Sequence, residues 1–244
     1  MAEATKTASL DAGYATRGLP PPPQVSVTTI PMAGLLVDVY GLEELRPSVP
    51  VSCLWLLHPR TRTRARMRDI ASRVVGAYND SNDAADRGLV ALAFDMPNHG
   101  TRMVSEAANG AWDEGNERHA VDMMGAVKGG RCDMSGLMDV AEGYLGREVR
   151  GHACLGWSLG GHAAWQAWVR EERLDAVVVV VGCPDFPGAL TSPFPLPPFF
   201  LCFPSSSPTP FHFFFSFSVV LHESLYGYGQ KGERKKREGR GGGE

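Results

Sequence analysis

The sequence predicts an α/β fold, a mostly parallel sheet with flanking helices, and three observations carry that expectation. Continuous apolar runs of strand length occur at Val51 to Leu57 (VSCLWLL), Gly88 to Phe94 (GLVALAF) and Asp175 to Val181 (DAVVVVV). Such runs suit strands covered on both faces. Segments with helical spacing separate them, and strand alternating with helix is the pattern of crossovers in a parallel sheet.

In chain order, Val25 to Ile30 and Leu35 to Tyr40 alternate and read as an antiparallel hairpin turned by Pro31 to Gly34, which makes the sheet mixed. Arg66 to Tyr78 places Met67, Ile70, Val74, Val75 and Tyr78 on one helical face. Asn79 to Gly88 is a polar linker with turn chemistry. Asn116 to Val127 and Met134 to Leu145 read as two helices, broken at Gly129-Gly130. Val149 to Leu155 is a further strand, weakened by Arg150, Gly151 and His152. Leu159 to Glu171 is a helix that offers Ala163, Ala164, Ala167 and Trp168 for packing. In such a sheet the chemistry belongs at the carboxyl ends of the strands. The residues leaving those ends are His58-Pro59-Arg60, Asp95, Ser158 and Gly182-Cys183.

Composition excludes several functions. A net charge of −3 argues against a general nucleic-acid binder. The arginine-rich stretch from Arg60 to Arg68 reads as a solvated loop and helix start. The five cysteines form no Cys-x-x-Cys pair, which points to reduced thiols, a cytoplasmic setting and no zinc site. The seven histidines lack metalloprotease spacing. No dinucleotide fingerprint is present, so no cofactor is expected. Nothing in the sequence reads as a membrane span. Met1 to Gln24 has no apolar periodicity, ends in Pro20 to Pro23, and reads as a disordered lead-in.

Gly156-Trp157-Ser158-Leu159-Gly160 lies between a strand and a helix. A serine hydroxyl needs a base to take its proton and donors to hold an oxyanion. A strand-to-helix turn supplies part of this: the glycines allow a sharp bend, and the following helix points free N–H groups at the site. The N–H of Leu159 is one candidate oxyanion donor. The other is expected from the loop after Val51 to Leu57, where Pro59 has no N–H, so Arg60 is the candidate. A serine that only caps the helix is the plainer reading.

With Leu57-His58-Pro59, Phe94-Asp95-Met96-Pro97-Asn98-His99-Gly100 and the Ser158 turn at three successive strand ends, the chain resembles an α/β-hydrolase over about Val25 to Asp185. The Asn98-His99-Gly100-Thr101-Arg102 run is similar to fungal-type members. The resemblance implies esterase, lipase or peptidase-like activity on a small-molecule acyl substrate. It also implies the chain order serine, acid, histidine. Asp185 is then a candidate acid, whereas Asp95, which precedes the serine, reads as a loop-fixing carboxylate. His58 is expected to order the oxyanion loop, His99 to pin its own loop and His162 to pack.

The remaining histidines, His212 and His222, fall in a stretch of different character. Of the 28 residues from Thr191 to Ser218, nine are Phe, seven Pro and six Ser, while Lys231 to Glu244 uses only Lys, Gly, Glu and Arg. The first set can be written with pyrimidines in the first two codon positions and the second with purines alone. That pattern predicts translated intron or frameshifted sequence from about Gly188. Residues 25–187 are accordingly expected to be a hydrolase domain lacking its last strands, and 188–244 a disordered low-complexity tail. In that case the strand at Asp175 to Val181 becomes an open edge, prone to aggregation. A catalytically inactive, truncated hydrolase-like chain is the alternative function.

Overall fold

The structure, a computed structural model, describes residues 19–81, 86–183 and 200–204. Its strands are β1 (Val27–Met32), β2 (Leu35–Tyr40), β3 (Val51–Leu57), β4 (Gly88–Phe94), β5 (Val149–Trp157), β6 (Leu174–Val180) and β7 (Phe200–Pro204). The helices are α1 (Arg68–Asn79), α2 (His119–Leu145) and α3 (Leu159–Arg170). Among the described residues the strands form one sheet in the order β1-β2-β4-β3-β5-β6-β7. β4, β3, β5 and β6 run parallel, and the outer pairings are antiparallel. This is the α/β class expected, with a mixed and mostly parallel sheet between helices.

Period-two alternation on the central strands builds two cores. Cys53, Trp55 and Leu57 of β3, with Val90, Leu92 and Phe94 of β4, pack under α2 and α3. Leu54 and Leu56, with Leu89, Ala91 and Ala93, pack under α1. Each fully buried Leu or Val contributes ~1.5–3 kcal/mol relative to an exposed one. Strands covered on both faces are almost wholly apolar, with Ser52 the one polar side chain in β3 and β4, and for that reason their bounds match the sequence expectation.

Four expectations are corrected. The hairpin turns at Ala33-Gly34 rather than over Pro31 to Gly34. Both turn residues have positive φ, 47° and 82°, as a two-residue turn matched to strand twist requires. The helix before β4 begins at Arg68, after a single 3-10 turn over Arg64–Met67. The two helices expected around Gly129-Gly130 are one continuous helix, α2. A side chain at Gly129 would meet the Pro97 ring at 2.8 Å, and one at Gly130 would meet the Met96 sulfur at 2.6 Å. The glycines therefore let the loop after β4 press against α2 and do not break it. Finally, β6 is not the open edge expected: β7 lies antiparallel along it from Val180↔Phe200 to Ala176↔Pro204. An edge strand has free N–H and C=O groups to satisfy, and Phe200 to Phe203 is an extended, apolar partner. Pro204, which cannot donate, sits at the end of the ladder, where that loss costs least. This strand comes from the stretch that the sequence marks as anomalous.

The far end of β5 carries a buried polar bond. Trp55 Nε1–H donates to His152 Nδ1 at 3.2 Å. Burial and, secondarily, the Arg173 charge push the His152 imidazole down to about 4. The unfolded chain, with an ordinary value near 6.5, therefore binds more protons than the folded one between pH 6.5 and pH 4. Thermal melts should show stability falling as pH drops through that window, with His152 contributing of order 2 kcal/mol. His152→Gln, which keeps an acceptor for Trp55, should flatten the slope. An unchanged slope in that variant would show that His152 does not titrate in this way.

Candidate active site

β3 leads to β4 on one side of it, and the chain then crosses to β5 on the other side. The crevice beyond the carboxyl ends of β3 and β5 is thus the switch point of the sheet, where ligands of open α/β sheets bind. Leu57, the last residue of β3, pairs with Gly156 of β5. The turn carrying Ser158 and the loop carrying Arg60 leave the sheet side by side.

Ser158 sits at the start of α3 with φ 54° and ψ −112°, a conformation that strains a residue with a side chain by ~1–3 kcal/mol. Backbone bonds on either side hold it: its N–H donates to the Val180 carbonyl at 2.8 Å, and its own carbonyl accepts from His162 N–H at 3.0 Å. The hydroxyl makes no cap bond to the helix, which removes the plain capping role. The residue is half-buried, and its hydroxyl has no hydrogen-bond partner among the described residues.

Glycine is required here by backbone contact. A side-chain carbon at Gly156 would fall on the Gly160 carbonyl and 2.7 Å from the Ala164 Cβ. One at Gly160 would fall on the Leu57 carbonyl. Both obstacles are backbone and cannot swing aside. Leu159, the first residue of α3, is buried, and its N–H is among those a helix leaves without an intrahelical acceptor.

The loop after β3 is built by His58 and Arg64. His58 is fully buried, and its Nε2 accepts the Met96 N–H at 2.9 Å. Its Nδ1 therefore carries the proton and donates to the Pro59 carbonyl at 2.8 Å. Burial, first of all, pushes this imidazole down to about 4, so it stays neutral. Arg60 lies in a turn closed by Arg62 N–H on the Pro59 carbonyl at 3.3 Å. Its guanidinium reaches away to donate to the Asn109 carbonyl at 2.5 Å. The structure thus brings Ser158, Leu159 and the Arg60 loop to one rim. Asp185, His212 and His222 lie outside the described residues.

Asp95 is a buried hub. Its carboxylate accepts from Arg64 N–H at 2.8 Å, Arg64 Nη1 at 2.7 Å, Thr101 N–H at 2.9 Å and Thr101 Oγ1 at 2.8 Å. Burial acts to raise its pKa, but these bonds and the Arg64 charge outweigh it and hold the carboxyl below its usual range. A side chain at Gly100, where φ is +53°, would strike this carboxylate. With four donors from Arg64 and Thr101 on its carboxylate, Asp95 fixes the two loops to each other. His99 is fully buried and donates from Nδ1 to the Pro97 carbonyl at 2.8 Å. The Nδ1 of His162 lies 3.3 Å from the Cys183 carbonyl oxygen and 3.4 Å from its amide nitrogen.

The sequence reading missed two features of this rim. Two arginines of the stretch, Arg64 and Arg66, are not solvated, whereas Arg68 is exposed. Arg64 lies 3.0 Å from the Asp38 carboxylate as well as bonding Asp95, and Arg66 is buried with its guanidinium 4.9 Å above the Trp157 ring. Alternate arginines at 60, 62, 64 and 66 gave no periodicity that separated inward from outward residues. Asn98 also does more than belong to a motif. At φ 61° it accepts Val104 and Ser105 N–H groups and donates to Asn109 Oδ1, closing the loop after β4. Asparagine before histidine and glycine was the available signal, because Asn tolerates this backbone region.

No protein-family model and no curated protein sequence matches the chain. Among solved structures it is similar to TT1662 from Thermus thermophilus, at 21% identity and a TM-score of 0.47, with 71% of this chain and 60% of that one covered. It is also similar to a dienelactone hydrolase from Anabaena variabilis, at 16% identity and TM-score 0.42, covering 69% and 68%. Est1E from Butyrivibrio proteoclasticus, solved with ferulic acid, aligns at 15% identity and TM-score 0.41, covering 64% and 53%. The chain thus spans about 60% of the length of TT1662.

Gly160→Ala should destabilise the chain by ~2 kcal/mol or more, because α3 must lift from β3. Gly143→Ala, which meets nothing within 4 Å on α2, should not destabilise it. Chemical denaturation of the two variants checks this, and equal midpoints would contradict the close approach.

Proposed function

We propose that the chain is a serine hydrolase of the α/β-hydrolase fold that acts on an ester or other acyl substrate through Ser158. The observation that carries this reading is the Ser158 backbone. A non-glycine residue held at φ 54° between Gly156 and Gly160, with its hydroxyl uncommitted at the switch point of the sheet, is the geometry of an exposed nucleophile.

In this reading Ser158 Oγ attacks the acyl carbon and the carbonyl oxygen takes up negative charge. The Leu159 N–H, at the positive end of α3, and the Arg60 N–H hold that oxyanion. The acid is Asp185. Neither nitrogen of His58 is available, Nδ1 of His99 is committed to Pro97, and Nδ1 of His162 faces Cys183. No imidazole among the described residues bonds Ser158, so the base must come from elsewhere in the protein. The second reading is a hydrolase-like chain without a working triad.

Labelling with a fluorophosphonate separates the two. The expected result is a covalent adduct on Ser158, located by peptide mass spectrometry and abolished in Ser158→Ala. The variant should also lose p-nitrophenyl ester hydrolysis, by as much as about 10⁶-fold if the triad is intact. A folded protein that never labels would remove the catalytic reading.

A further inference from the structure

Resting on the reading of Ser158 as nucleophile, the geometry points to Arg66 as a positioning residue that couples the Ser158 turn to the loop carrying the second oxyanion donor. The two halves of the proposed oxyanion site belong to different segments: Leu159 follows β5, and Arg60 follows β3. Their relative position must be fixed to a fraction of an ångström for both N–H groups to meet one oxygen.

Arg66 spans that gap. It lies in the 3-10 turn Arg64–Met67 that continues the Arg60 loop, and its N–H donates to the Thr63 carbonyl at 2.9 Å. This turn is anchored on the sheet side by Met67, which is fully buried, and by Arg64, held between Asp38 and Asp95. From this base the Arg66 guanidinium lies over the Trp157 ring, 4.9 Å from its centroid, and only 8% of the residue is exposed. Trp157 is bonded to Ser158 and packs on the α1 face of the sheet. A cation over an indole is stronger when water is excluded, as it is here. Arginine suits the place better than lysine, because its planar group stacks on the ring and is more weakly hydrated. The contact therefore transmits any displacement of the Arg60 loop to the residue before the nucleophile, and the reverse.

Hydrogen exchange of the backbone amides tests this without a substrate. Arg66→Met should speed exchange about tenfold at the bonded amides of both segments, Arg62 in the loop and Ser158 and His162 at the turn, while amides of β3 and β4 stay unchanged. Trp157→Leu should produce the same pair of changes, and Arg66→Met should add nothing further in that background. Trp157→Phe keeps a ring face and should keep most of the protection, so the series still decides the matter if Arg66→Met fails to fold. Acceleration in only one segment, or additive effects of Arg66→Met and Trp157→Leu, would overturn the coupling. Coupled exchange in a protein that a fluorophosphonate never labels would leave this inference standing and remove the hydrolase reading.

Discussion

Backbone meets backbone where α3 begins, and the rest of the site depends on that contact. Gly160 lies against the Leu57 carbonyl of β3, and Gly156 lies against the Gly160 carbonyl. With no side chains between them, the first turn of α3 settles directly on the ends of β3 and β5. Only then does the chain have to reverse within one residue, and that residue is Ser158. The strained φ is a consequence of the close approach, and the Val180 carbonyl and His162 N–H hold it in place. A strand and helix set further apart would relax the turn and let the hydroxyl fold back to cap the helix.

A second constraint sets the loops around the turn. Asp95 is a buried carboxylate with four donors, and Arg64 supplies two of them. Removing one member of such a buried pair leaves a charge without compensation, at a cost of order 3–5 kcal/mol. The loop after β3 is therefore tied to the loop after β4 by charge as well as by His58. Arg102 extends the same tie to α2 through Asp133 at 2.6 Å. The rim of the sheet is one connected polar structure resting on two apolar cores.

The parts of this architecture that were legible in the sequence are those set by local rules. VSCLWLL and GLVALAF are apolar but for Ser52 because both faces are covered, and their bounds needed no tertiary information. The Ser158 turn was legible because glycines two residues to either side, between strand and helix, have few other uses. What escaped was decided by partners distant in sequence. Gly129 and Gly130 read as helix breakers until Met96 and Pro97 are seen to fill the space they leave. Arg64 and Arg66 read as solvated until Asp38, Asp95 and Trp157 are placed around them. The hairpin slipped because Ala33 gives no hint that it adopts a positive φ. Strand β7 was hidden by the prolines and phenylalanines around it, since only the unpaired edge of β6 gives that segment a reason to extend. Asp185, the candidate acid, lies outside the described residues, so its assignment rests on chain order alone.

The central claim is that Ser158 is presented, strained and uncommitted, above the carboxyl ends of β3 and β5. A crystal structure at a resolution that fixes individual torsions tests it most directly. The expected result is Ser158 with φ near +54° and its Oγ bonded to no amide of the α3 first turn. An ordinary negative φ, with Oγ accepting the N–H of Gly160 or Gly161, would make the serine a helix cap and contradict the account.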